Sequence, residues 1–303
     1  MKNYLILFSL IFLVFLAGCI GIGQEQPSLG VQIGLIIKSF RPDISEVFSG
    51  DSSTFSLSVE NVGGEDATNV QAKLFGLGTD WAITTRSYNI SDMLQKSQTD
   101  LKIPGGTGDA SWDVQSPSNL KVDNTYTAGV RVTYSYKTTA LGKFKVYAQD
   151  YLRTRPEENE RIMSSSGIES LVVTKAPVTV ALAGIARPII YRSAGQKVAI
   201  TVQLSDVGPG NPYLSDLPDM KVKVDKIEIR NKTCAGTSDC KCSDWTGFPQ
   251  DVKLPRTGEK SISCTYTFNE AVEDFTTIPI NVELTYNYFV ESSTTIKVLK
   301  TQV

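Results

Sequence analysis

Residues 49–64, SGDSSTFSLSVENVGG, and residues 194–210, AGQKVAITVQLSDVGPG, are two spellings of one pattern. At a constant offset of 145, Gly50 falls on Gly195, Phe55 on Ile200, Leu57 on Val202 and Val59 on Leu204. Asn61-Val62-Gly63 then falls on Asp206-Val207-Gly208. Apolar residues at every second position put one face of a strand into a core. An Asn or Asp followed shortly by Gly supplies the turn that ends the strand. Just upstream, Arg41-Pro42 and Arg187-Pro188 precede the glycine by similar distances.

A second match closes each half. Residues 126–136 read YTAGVRVTYSY and residues 278–288 read IPINVELTYNY. At an offset of 152, Val130 pairs with Val282, Val132 with Leu284, Tyr134 with Tyr286 and Tyr136 with Tyr288. The next run follows suit, with Phe144-Lys145-Val146 on Ile296-Lys297-Val298. Short polar stretches separate the runs, so each half is expected to end in a β-hairpin. Two matches in order, each keeping its inside/outside phase, are better explained by duplication or a shared fold than by chance.

Each half is therefore read as a sandwich of about seven short strands over roughly 100 residues, the size of an immunoglobulin-like module. The expected fold class is all-β: two tandem immunoglobulin-like β-sandwich domains after a lipoprotein signal peptide. The boundaries read as signal peptide 1–18, tether 19–34, first sandwich 35–148, linker 149–176 and second sandwich 177–303. The linker contains QDYLRTRPEENERIMSSS (149–166), the most charged and least alternating part of the chain, and reads as a linker or an excursion from the last strand. Leu171-Val172-Val173 is expected to form a connecting strand. Trp81, Trp112 and Trp245 are assigned to core or edge packing, with sugar stacking the less favoured role.

The pattern of a glycine, a strand and then Asn-x-Gly-Gly resembles the CARDB-like adhesion-related modules of prokaryotes and their immunoglobulin-like relatives. Ser49-Gly50, Phe55 to Val59 and Asn61-Val62-Gly63-Gly64 carry the resemblance, with Gly195 to Gly208 as the degenerate copy. That copy departs at Asp206 and Pro209. The resemblance implies a sandwich on an extracytoplasmic protein and brings no catalytic residues with it.

The chain opens Met1-Lys2-Asn3 and then runs apolar from Tyr4 to Ala17, the length of a signal-peptide core. It reaches Leu16-Ala17-Gly18-Cys19, which resembles the lipobox of prokaryotic lipoproteins. That resemblance implies lipidation of the Cys19 thiol and removal of residues 1–18. The competing reading is an uncleaved anchor, and both place the body outside the cytoplasm, on the outer face of the cell membrane. Two acyl or alkyl chains hold firmly, since each buried methylene adds about 0.8 kcal/mol. Residues 21–34, GIGQEQPSLGVQIG, read as a spacer off the bilayer.

Composition excludes several chemistries. With 30 Lys and Arg against 32 Asp and Glu, and no basic block, nucleic acid is not an expected partner. The 303 residues contain no histidine. Ser-His-Asp and Cys-His catalysis, HExxH metalloprotease sites and His-bearing zinc sites are all removed. Carboxylate-pair hydrolysis stays formally open, with the Asp206–Asp219 region its candidate. A calcium site at Asp206, Asp216 and Asp219 is the other oxygen-ligand reading, and turn-forming aspartates beside Gly and Pro the simpler one. No metal or cofactor is assigned.

The offset grows by seven between the two matched regions, so the second half carries extra residues in a stretch that contains Cys234, Cys240 and Cys242. Cys264 follows in a later strand. Four thiols in an exported chain are expected to form two disulfides, which permits three pairings. Cys234–Cys264 would force Cys240 onto Cys242, at the upper edge of bonding range, and is discounted. Both remaining options send one loop cysteine to Cys264, close a small ring at Cys234 and pin the loop to the sheet. A four-cysteine zinc site lacks its usual C-x₂-C spacing. Asn89-Ile-Ser and Asn231-Lys-Thr are glycosylation sequons of the kind modified on archaeal surface proteins.

The functional expectation is a non-enzymatic cell-surface lipoprotein that binds, adheres or builds, its partners the membrane and a surface protein or glycan. The alternative is an accessory factor in assembling a pilus, archaellum or surface layer, and the last is the carboxylate-dependent glycan hydrolase. The expected geometry is serial, one sandwich near the membrane and the disulfide-bearing one farther out. The loop from Cys234 to Cys242 is then the first candidate for contact.

Overall fold

The computed structural model describes residues 33–236 and 239–300. Cys19, the signal peptide and nearly all of the tether lie outside the described residues. The N-terminal half comprises β1 (Leu35–Pro42), β2 (Glu46–Phe48), β3 (Ser52–Asn61), β4 (Ala67–Phe75), β5 (Ala82–Ile83), β6 (Ser87–Leu94), β7 (Thr107–Gln115) and β8 (Asn124–Ala148). Two short helices, α1 (Gln149–Arg153) and α2 (Pro156–Met163), and the strand β9 (Ile168–Val173) follow. The C-terminal half begins with β10 (Val178–Ala183), β11 (Ile189–Tyr191), β12 (Lys197–Asp206), β13 (Asn211–Tyr213) and β14 (Lys221–Ile229). It continues with β15 (Lys232–Thr233), β16 (Cys240–Cys242), β17 (Gln250–Lys253), β18 (Lys260–Thr267) and β19 (Phe275–Leu299).

The repeated motif forms β3 and β12, as its alternation requires. Phe55, Leu57 and Val59 are buried, and so are Ile200, Val202 and Leu204. Gly50 and Gly195 begin the two copies at φ of +89° and +81°, a region where a side chain is strained. Each motif strand is second in a small sheet, β1-β3-β7-β5 in one half and β10-β12-β18-β16 in the other. A single large sheet, with central order β15-β14-β19-β8-β4-β6, serves both. Apart from two short helices the described residues are all-β, the fold class expected.

The ends of the halves differ from expectation. No hairpin forms after Tyr136 or after Tyr288. β8 and β19 instead run straight on for 25 residues each. They pair with each other antiparallel, from Phe275 opposite Tyr147 to Val298 opposite Asn124. The reason is in the letters. Neither KTTAL (137–141) nor FVESSTT (289–295) contains Gly, Pro, Asn or Asp, the residues that make tight turns, and their threonines and valine favour strand.

The result is an exchange of strands within one chain. Residues 287–298 pair with β8 beside β4, and β2 joins the far end by running parallel to Lys297–Leu299. The strand beside the first part of β8 is thus supplied by the C-terminal half. In return, the later part of β8 lies against the first part of β19, and β11 runs parallel to Val146–Ala148. Tyr134 faces Tyr288 and Tyr136 faces Tyr286, so a local two-fold axis passes between Ser135 and Asn287.

At that axis the four tyrosine rings contact one another with centroids 5.7–6.4 Å apart. Leu35 N–H donates to Tyr134 Oη and Val178 N–H to Tyr286 Oη, both at 3.2 Å. β1 and β10 thus start from equivalent anchors. Residues 149–153 and 156–163 are helical; in α2 Pro156 stands at the first turn, Glu157 and Glu158 favour the positive end, and Arg161 the negative end. Leu152 and Ile162 are buried, and Leu171–Val173 lies in the strand β9, which pairs with β8.

Candidate functional site: a stapled loop beside a hydroxyl-lined groove

β14 ends at Ile229 and reverses through Arg230 and Asn231, both left-handed with φ of 49° and 61°. Two successive residues of that kind make the two-residue hairpin turn that matches strand twist. Asn231 of the second sequon is exposed at this turn, and Asn89 of the first is exposed on β6. Beyond β15, Cys234 N–H donates to Ile227 O at 2.9 Å and Cys242 N–H to Cys234 O at 3.2 Å. The disulfides are Cys234–Cys240 and Cys242–Cys264. The first ties the rim of the large sheet to β16, and the second ties β16 to β18, where Cys242 faces Cys264. All four cysteines are buried, so the bridges form the underside of the loop.

Cys264 occupies a telling place. β3 sets Phe55 opposite Trp112, and β12 sets Ile200 opposite Cys264. The disulfide therefore stands where the other half packs a tryptophan. Trp112 is buried with its ring edge-on to Phe40 and Tyr88, and Trp81 is buried against Tyr126. Trp245 is half-buried, meets Phe248 edge to face, and donates its backbone N–H to Cys242 O at 3.1 Å. All three tryptophans pack, as expected.

On the outer face of β12, β18 and β16 lies an open groove of about 540 Å³. Lys197, Lys241, Ser243, Asp244, Ser263, Thr265 and Thr267 line it. Ser243 N–H donates to Ser263 O at 2.7 Å, which fixes the loop edge of the groove to β18. The lining offers hydroxyl donors and acceptors with two ammonium groups and one carboxylate, all borne on strands or on a loop held by disulfides.

The second feature is a matched pair of turns. Asn61 Oδ1 accepts from Gly63 N–H at 3.1 Å and from Tyr136 Oη at 3.4 Å, while Tyr136 Oη accepts from Glu65 N–H at 3.2 Å. In the other half Asp206 Oδ1 accepts from Gly208 N–H at 3.2 Å and from Tyr288 Oη at 2.8 Å, while Tyr288 Oη accepts from Gly210 N–H at 3.1 Å. Burial raises the Asp206 carboxyl to about 6, against the lowering effect of the Tyr288 hydroxyl and the Gly208 amide. Burial likewise pushes the Tyr136 and Tyr288 phenols up. The signal for these tyrosines was the repeated Tyr-x-Tyr at 134–136 and 286–288, to which sequence reading assigned no role.

The three aspartates of the calcium and hydrolase readings serve turns. Asp219 Oδ1 accepts from Leu214 N–H at 3.1 Å and Lys221 N–H at 3.2 Å, and exposed Asp216 accepts from the Ser215 hydroxyl at 3.4 Å. Among the described residues no group of three His, Cys, Asp or Glu is placed to hold a metal ion. Strand register also locates the seven extra residues. Tyr213 faces Asn287 as Thr68 faces Ser135, and Val224 faces Leu284 as Ala72 faces Val132. The insertion is therefore Leu214–Met220, between β13 and β14 and ahead of the cysteine loop.

Among the described residues no helix is long and apolar enough to cross a membrane. No family model matches the chain, and no curated protein matches it. Among solved structures it is similar to the secreted serine protease VesC of Vibrio cholerae, with 12% identity and a TM-score of 0.21 over 84% of this chain and 51% of that one. The adhesin InvE of Yersinia pseudotuberculosis matches at 11% identity and TM-score 0.18, over 86% of this chain and 58% of that one. The MSCRAMM ACE of Enterococcus faecalis matches at 7% and 0.16, over 88% and 96%. The chain spans about half the length of the first two. With superpositions this low, the fold assignment rests on the strand pairings.

Proposed function

We propose that the protein is a non-enzymatic binding module of the cell surface, held to the outer face of the membrane through lipidated Cys19. Its two sandwiches are rooted at 35–148 and 177–303, and its partner is a surface glycan or protein that presents hydroxyl or acidic groups. The observation that carries this reading is the groove over β16 and β18, whose hydroxyls and lysines are set on rigid strands above a buried disulfide. Recognition surfaces work best when their donors are fixed before the partner arrives. The absence of histidine and the structural use of Asp206 and Asp219 favour binding over hydrolysis.

The test is capture of envelope glycans and proteins by the intact lipoprotein, compared with Lys241→Glu and Thr265→Trp variants. Both positions lie on the sheet's outer face, so folding is expected to survive, and at least a tenfold loss of capture is expected from each. Equal capture by both variants would remove the groove from the proposal.

A further inference from the structure

The outer face of the large sheet carries an exposed apolar pair. Leu141 on β8 and Val172 on β9 stand directly opposite each other and are 55% and 69% exposed. The row continues across the sheet: Leu141 faces Asn281 on β19, Asn281 faces Glu228 on β14, and Glu228 faces Thr233 on β15. Residues directly opposite in antiparallel strands share a face, so these five side chains form one line across five strands. An open groove of about 570 Å³ follows the line from Val172 to Glu228, with Lys143, Ser170 and Asn231 also in its wall.

Asn281 Nδ2 donates to Glu283 Oε1 at 3.1 Å, while its Oδ1 is buried and accepts no hydrogen bond among the described residues. A buried acceptor without a donor is costly, and a hydroxyl is a group that satisfies it. The apolar pair at the other end of the line calls for an apolar cover. A sugar ring supplies both, with hydroxyls at its edge and C–H groups on its face. The groove also holds an attachment point for sugar. Asn231-Lys232-Thr233 is a glycosylation sequon, Asn231 lines the groove from an exposed hairpin turn, and Thr233 ends the row. The other sequon is placed differently, since Asn89 lies within β6 opposite Gln71 and gives its Nδ2 to Asp92 Oδ1 at 3.4 Å.

We infer that Asn231 carries a glycan that folds back into this groove and covers Leu141 and Val172. Transfer joins Asn231 Nδ2 to the anomeric carbon of a glycosyl phosphate donor. The bond from that carbon to the phosphate oxygen breaks, and the amide proton leaves with the phosphate. Sugars beyond the first pass Asn281, donate a hydroxyl to its Oδ1, and lay a C–H face on the apolar pair. Strands lie about 4.8 Å apart, so Glu228 to Val172 is about 14 Å, within reach of a short oligosaccharide. Lys143 and Ser170, which face each other beside the pair, offer the far end further hydrogen bonds. The inference rests on export of the chain, as in the proposed function, and is independent of the groove over β16 and β18.

The test uses the full chain purified from the cells that make it, footprinted with hydroxyl radicals and peptide-mapped by mass spectrometry. A glycan mass is expected on the peptide that contains Asn231. Oxidation at Leu141 and Val172 is expected to rise at least about threefold in Thr233→Ala and in Asn231→Gly, because a ring in contact at about 4 Å excludes water from the side chain beneath it. Leu101, exposed elsewhere, should oxidise equally in all three proteins. Asn231 has a φ of 61°, so glycine there keeps the turn should the threonine variant fail to fold. An unmodified Asn231 overturns the inference, and acyl groups on Cys19 of the same chain would show that export still holds. Equal oxidation with and without the glycan overturns it too. So does protection that survives loss of the sequon, which would give the patch to a second copy or another chain. A glycosylated chain without acyl groups overturns the anchor and leaves the inference intact.

Discussion

Ser135 and Asn287 face each other across the local two-fold axis, with Ser135 Oγ donating to Asn287 Oδ1 at 2.8 Å. They are repeat mates, 152 residues apart, so the pair marks the point where each half becomes part of the other. Deep on the opposite face, Thr138 Oγ1 donates to Val178 O at 2.7 Å and sits 2.9 Å from Tyr286 Oη, which locks the crossing strand to β10. A serial pair of sandwiches can tilt at its linker. Two halves that share their longest strands cannot, unless those strands part.

A cut between the halves should therefore leave them together. A protease site inserted after exposed Ser164, then cleaved, is expected to give two fragments that co-elute under native conditions and separate only in denaturant. Light scattering on the cleaved protein reads the outcome. Two independently eluting folded fragments would mean that each half closes on its own strand.

The Asp206 turn should make stability depend on pH. Its carboxyl is raised to about 6 in the folded protein, above the ordinary 3.8 of the unfolded chain. Between those values the folded state holds the proton more tightly, so stability falls as pH rises from about 4 to 6 and levels off above. Asp206→Asn is expected to remove that fall and raise the melting temperature at pH 7 by roughly 2–4 °C. Asn61 shows that an amide oxygen accepts the same two donors in the same turn. Thermal melts from pH 4 to 8 decide it, and an unchanged slope in the variant would refute the assignment.

Removing the tyrosine hydroxyls should separate the two turns. Tyr136→Phe strands the Glu65 N–H, at about 1 kcal/mol. Tyr288→Phe strands the Gly210 N–H and also strips a donor from Asp206, so its cost is larger above pH 6. Urea unfolding at pH 5 and pH 7 is expected to show the difference between the variants widening with pH.

What the letters made legible was periodicity, and what they hid was direction after a strand. The two copies of the motif announced β3 and β12, and the matched Tyr-x-Tyr runs announced the neighbouring strands. A polar composition at 137–139 looked like a turn, yet Thr138 is fully buried and Lys137 and Thr139 pair with β19. Polarity marks exposure, while a tight turn needs Gly, Asn, Asp or Pro, and those residues were missing there. The cysteine pairing could be narrowed to two options by chain geometry. Choosing between them required knowing that β16 lies beside β18, a long-range contact that spacing does not encode. The hydroxyl-lined groove was invisible for the same reason, since Lys197, Lys241 and Thr265 come together only through strand order.

The two disulfides should contribute unequally. Cys242–Cys264 spans 22 residues and Cys234–Cys240 spans 6. Chain entropy alone gives about 3 kcal/mol for the longer loop and about 2 kcal/mol for the shorter. Packing widens the gap, because Cys264 fills the core position that Trp112 fills in the other half, and truncation there leaves space beside Ile200. Cys242→Ala with Cys264→Ala is therefore expected to destabilise the protein more than Cys234→Ala with Cys240→Ala, by 1 kcal/mol or more (about 1 from the entropy difference). The second pair of substitutions should instead loosen the attachment of β16 to the end of β14, which hydrogen exchange at the amides of positions 234 and 242 would report. A larger loss from the 234/240 pair would show that the loop, rather than the core beneath it, is what the cysteines hold.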